Sequence, residues 1–107
     1  MFDFNEWIKD YNNIEVLSGQ YRLFKEIECK DGFTISVQAG ANSYSMPRST
    51  IYTGYTMVEC GFPSATPEYI MDYADNSKYQ TNTYYGFVPV DLVNKLINLH
   101  GGVKWII

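Results

Sequence analysis

The sequence is short of the groups that most often carry chemistry. It has one histidine, His100, and two cysteines, Cys29 and Cys60. No HxxxH, ExxH or CxxC spacing joins them, so a metal site is not expected. There is no GxSxG elbow and no Cys-His pair within one loop, and a hydroxyl or thiol without a neighbouring base is a weak nucleophile. Glycine-rich phosphate loops are absent too, with Gly40, Gly54 and Gly61 reading as isolated turn residues. These absences lead to the expectation of a protein that is not an enzyme and takes no cofactor.

Basic residues are scarce as well. Eight Lys and Arg stand against twelve Asp and Glu, for a net charge of −4, which opposes direct binding to nucleic acid or to anionic lipid. The same charge suits a protein that competes with nucleic acid for a basic partner. No apolar run approaches the ~20 residues that span a bilayer, and Met1 to Glu6 lacks a basic stretch followed by an apolar one. With Cys29 and Cys60 read as reduced, half-buried thiols, a cytosolic protein without a membrane partner is expected.

Aromatic side chains are abundant: they make up 17% of the residues, and ten are tyrosines. Tyrosine joins a broad apolar ring to a polar tip, which favours it on surfaces that bind. A chain of 107 residues fits one domain, taken as 1–107, and is apolar enough to fold without disulfides or metal.

Asp3 and Glu6 have the spacing of a capping box, and Phe4, Trp7, Ile8 and Tyr11 recur behind it as one helical face. Tyr21 to Glu28 reads as an irregular strand, and Asp31-Gly32 as the turn of a hairpin. The second arm, Phe33 to Gln38, alternates cleanly, with Phe33, Ile35 and Val37 on the core side. Ala39 to Thr53 reads as a long loop and Tyr55 to Cys60 as another strand. Thr66-Pro67 announces a short helix over Glu68 to Ala74. A third strand spans Thr83 to Val88, and the helix after Pro89 carries Leu92, Val93, Leu96 and Ile97 as one stripe until Gly101-Gly102. The apolar tail Val103 to Ile107 is expected as a final strand or anchor; left exposed, it would favour a homodimer over a monomer. The fold class expected is α+β: one small domain with a mostly antiparallel sheet and helices on one face.

Two constellations stand out as candidate partner-binding surfaces. Glu68, Asp72 and Asp75 fall at i, i+4 and i+7 of the expected helix and form either a solvated face or a docking surface for a basic groove. The loop residues Tyr44, Met46, Pro47, Arg48, Tyr52 and Tyr55 form either a binding set rich in aromatics and arginine or a lid over the sheet. His100, in the last turn of its helix, is expected to serve the helix terminus.

The stretches Cys29 to Ala39, Tyr44 with Pro47-Arg48, Val58 to Ser64, Tyr85 to Val90 and His100 to Val103 resemble small uncharacterised proteins of phages and mobile elements in Gram-positive bacteria. The resemblance runs from about Cys29 to Val103. Such proteins often carry a histidine and a cysteine around the tyrosine that matches Tyr44, where this chain has Ser43 and Ser45. Thiol or imidazole chemistry at that loop would be missing here, while Pro47 and Arg48 suit a binding role. The resemblance and the acidic, tyrosine-rich composition together imply an accessory protein in the host cell cytosol. It would bind a host defence enzyme, such as a nucleic-acid-binding nuclease, as an anti-CRISPR protein does. The alternatives are a small-ligand binder that sequesters a nucleotide signal beside Arg48, a phage structural or assembly protein, and an enzyme whose site the sequence does not display.

Overall fold

The computed structural model describes residues 1–104, and the strand with the clearest alternation lies inside its main sheet. Phe33, Ile35 and Val37 are buried while Thr34, Ser36 and Gln38 lie on the other face. In chain order the elements are α1 (Phe4–Trp7), β1 (Ile14–Ser18), β2 (Tyr21–Phe24), β3 (Ile27–Glu28), β4 (Thr34–Gln38), β5 (Met57–Gly61), β6 (Tyr84–Pro89) and α2 (Val90–Leu99). Short 3-10 turns occur at Tyr11–Asn13 and Met71–Tyr73. Strands β3-β4-β5-β6 form an antiparallel sheet in that order, and β1-β2 is a separate hairpin. The α+β architecture is thus the expected one.

The core lies between the main sheet and the two helices. Ile35, Val37, Val58, Cys60, Tyr85 and Val88 meet Val93, Leu96 and Ile97 of α2, with Phe4, Ile8 and Phe24 closing one end. Each fully buried aliphatic or aromatic side chain contributes roughly 1.5–3 kcal/mol. Gly101 and Gly102, at φ 94 and 82, stop α2, and the Gly102 N–H returns to the Ile97 carbonyl.

Three expectations need correction. The first helix is only Phe4–Trp7: Asp3 caps the Asn5 N–H, and Tyr11, 71% exposed, has left the apolar face. The Tyr21 to Glu28 run is broken at Lys25-Glu26 into β2 and β3. Its first half pairs with β1, a strand too exposed to show alternation. No α-helix forms over Glu68 to Ala74: Tyr69 takes φ 70, which ends right-handed helix, and only the Met71–Tyr73 turn remains. At the C-terminus, Val103 bridges Cys29 and the Lys104 N–H donates to the Glu28 carbonyl, as a final strand would. The rest of the expected tail, Trp105 to Ile107, lies outside the described residues.

Candidate functional site

The outer face of β5 and β6 is shaped by a bulge. Val58 pairs with Val88 and Cys60 with Tyr85, so Gly86 and Phe87 stand opposite the single residue Glu59. Phe87 absorbs the extra residue at φ 52, and Phe62, just beyond β5, sits at φ 49. Bulky L side chains avoid this left-handed region, at a cost of roughly 1–3 kcal/mol each. Together with Tyr69, they are the only non-glycine residues at positive φ among those described, and all three are exposed aromatics.

Two glycines let the neighbouring rings settle on the sheet. A Cβ on Gly61 would meet the Tyr84 ring at 3.6 Å, and one on Gly86 would meet the Tyr44 side chain at 3.4 Å. Phe62 packs edge-on against Tyr84, with ring centroids 5.3 Å apart, and Tyr44 packs against Phe87 at 5.7 Å. Tyr44 is fixed at both backbone ends: its N–H donates to Glu59 Oε1 at 2.9 Å and its carbonyl accepts from the Phe87 N–H at 3.0 Å. Arg48 lies over the Tyr44 ring at 5.2 Å. Exposed Met46 bridges Met57. Half-exposed rings, a thioether and one charge of each sign, carried by β5, β6 and the loop laid along them, are residue types enriched at protein-docking faces.

The candidate loop residues therefore divide. Tyr44 and Arg48 join this face. Tyr52 stands in solvent, 87% exposed, on the segment that Asn5 ties to α1 through Thr53 and Gly54. Tyr55 is an internal anchor: its hydroxyl donates to the Ser49 carbonyl at 2.6 Å and accepts from the Ile51 N–H and from Arg22 Nη2. Buried Arg22 also donates to the Ile51 and Ala39 carbonyls and lies 4.5 Å from the Phe24 ring centre. The loop is thus both a lid over the core and, at Tyr44 to Arg48, part of the face.

The three carboxylates divide as well, because the helix that would align them is not formed. Asp72 is exposed in the Met71–Tyr73 turn, and the Asp75 N–H donates to the Tyr84 carbonyl, which places Asp75 beside the aromatic face. Glu68 instead takes His100 Nε2 at 2.9 Å while Asp31 takes Nδ1 at 2.6 Å. The His100 ring stacks on Phe33 at 4.1 Å. Burial alone would lower the His100 pKa, but the hydrogen bonds and charges of Glu68 and Asp31 outweigh it and raise it. Asp31 is lowered, first by the Phe33 N–H and then by His100, and Glu68 is lowered chiefly by His100. The His100 side chain is a clamp between the β3-β4 turn, the Glu68 segment and the end of α2, while its backbone N–H serves the helix terminus as the C-cap, donating to the Leu96 and Ile97 carbonyls.

Among the described residues no three His, Cys, Asp or Glu side chains converge as a metal site. Cys29 and Cys60 are free and buried; burial, then Asp31 and Glu28, pushes Cys29 up to about 11, and Cys60 is raised further. Such thiols are inert as nucleophiles. The sequence reading missed Phe62, Phe87 and Arg22. The first two each follow a glycine, at Gly61-Phe62 and Gly86-Phe87, but so does the buried Phe33 at Gly32-Phe33, so the dipeptide is not a signal specific to the face. No helix among the described residues is long and apolar enough to cross a membrane. Comparison with protein-family models, curated proteins and solved structures found no match to this chain.

Proposed function

We propose that this chain acts by binding a protein, as a phage or mobile-element accessory factor that inhibits a host defence enzyme in the manner of an anti-CRISPR protein. The observation that carries the reading is the pair Phe62 and Phe87. Two large apolar side chains sit in an unfavourable backbone region and yet face solvent on one sheet face, where strain and exposure both oppose folding and a partner would offset them. The net charge of −4, with Glu59 within the face and Asp75 at its border, favours a basic partner, such as the nucleic-acid groove of a nuclease.

Asparagine tolerates the left-handed region far better than phenylalanine. The double variant Phe62→Asn/Phe87→Asn is therefore expected to be as stable as the parent, within about 1 kcal/mol, yet to lose inhibition. DNA cleavage by purified CRISPR nucleases, with parent and variant added, tests this. Equal inhibition by both proteins removes the aromatic face from the reading, and no inhibition by the parent removes the nuclease partner.

A further inference from the structure

Among the described residues, three have their backbone N–H and C=O satisfied together by one side-chain carboxamide. Asn98 does this for Phe2 at 2.8 and 3.1 Å, Asn5 for Tyr55 at 2.9 Å each, and Gln38 for Phe24 at 2.8 and 2.9 Å. A primary amide holds an N–H and a C=O side by side, so it can pair with an extended residue as half of an antiparallel ladder would.

Arg22 lies two residues before Phe24 on the same edge of β2. Ser18 and Tyr21 flank the two-residue turn between β1 and β2. The alternation of an antiparallel ladder then directs the Arg22 N–H and C=O away from β1, as it does those of Phe24. Gln38 serves Phe24, but outside the β1-β2 ladder no hydrogen bond among the described residues engages the Arg22 N–H or C=O. Arg22 lines a cavity of about 150 Å³ whose walls include Tyr21, Leu23, Gln38, Asn42, Ser43 and Glu59. That volume equals about five waters at liquid density, enough for one small ring.

We propose that this cavity binds a cis-amide group, as carried by a primary carboxamide or by the lactam edge of a nucleobase, paired with the N–H and C=O of Arg22. The chemistry disfavours a simple anion, because Glu59 shares the cavity and would repel it, whereas a neutral amide offers a donor and an acceptor together. Tyr21, half in solvent at the cavity wall, supplies a ring on which a planar ligand can stack. Arg48 is not among these walls, so the site is not the arginine pocket expected from the sequence; it borders the docking face, with which it shares Glu59.

The test follows the Arg22 backbone amide in ¹H–¹⁵N correlation spectra of the intact protein during titration with nicotinamide and with uracil. The controls are N,N-dimethylnicotinamide and 1,3-dimethyluracil, which keep the ring and carbonyl but lack the amide N–H. A saturable shift of the Arg22 resonance in the millimolar range, lost with the methylated control, supports the site. Saturation by nicotinamide alone assigns a carboxamide, and by uracil alone a lactam. The exposed-wall variant Tyr21→Ala should weaken binding about three- to tenfold. No shift with either probe, or equal shifts with probe and control, overturns the proposal.

Discussion

Tyr55 shows why individual roles were hard to read from the sequence. A tyrosine in a long loop rich in other tyrosines resembles an interface residue, and only the fold reveals that its hydroxyl sits among Ser49, Ile51 and Arg22. Arg22 was harder still, since arginine is rarely buried and nothing in its strand's alternation marks it. It is buried without a carboxylate partner among the described residues, held by two carbonyls, one hydroxyl and the Phe24 ring, and its Nε has no acceptor there. Tyr55→Phe keeps the ring but deprives the Ile51 N–H of its acceptor and Arg22 of one of three. Leaving buried donors unmet costs about 1–3 kcal/mol, so denaturant unfolding should show a loss of about 2–3 kcal/mol. A loss under about 0.5 kcal/mol would mean that water replaces the hydroxyl and that Tyr55 is not the loop's anchor.

The elements that announced themselves did so through unbroken periodicity. Phe33 to Val37 and Leu92 to Ile97 could be assigned because each apolar set meets a single face. The β1-β2 hairpin hid because both strands are largely exposed, leaving only Gly19, at φ 58, to mark the turn. Thr66-Pro67 misled for the opposite reason: a valid helix start was overridden by burial of Ile70 and by the pull of His100 on Glu68. That clamp makes stability depend on pH from two directions. The His100 pKa is raised on folding, so its contribution is complete below its ordinary value of 6.5 and fades as pH rises through the folded value. Asp31 and Glu68 are lowered, so their contribution is complete above their ordinary values of 3.8 and 4.5 and fades as pH falls. Thermal stability should therefore be greatest between about pH 5 and 6 and decline on both sides. Glu68→Gln should lower the His100 pKa, read by NMR titration of the ring, and bring the alkaline decline to lower pH. An unmoved histidine titration would show that the ion pair does not form in solution.

At the scale of the whole molecule, composition foretold that the surface would be acidic and aromatic, but not where. Strands β5 and β6 carry the exposed rings because a bulge and two glycines are there, and the carboxylates are scattered because one expected helix is a turn. Replacing Glu68, Asp72 and Asp75 together would therefore be a poor test of charge, since Glu68 belongs to the clamp and its loss would act through folding. Asp72 and Asp75 alone are suitable. Changing both to lysine alters the charge by +2 each, from −4 to 0, at solvent-exposed positions where substitution usually shifts stability by only ~0.5 kcal/mol. If electrostatics guides the protein to a basic partner, this variant should associate about tenfold more slowly at low salt, and the salt dependence of its rate should flatten. Its dissociation rate should change little, because border charges steer encounter more than they hold a complex. The Phe62→Asn/Phe87→Asn variant should do the reverse, with ordinary association and fast dissociation, since apolar anchors act once the surfaces meet. Surface plasmon resonance across a salt series separates the two. Equal association rates for the parent and the Asp72→Lys/Asp75→Lys variant at every salt concentration would exclude acidic steering and leave the aromatic face to recognise its partner by shape alone.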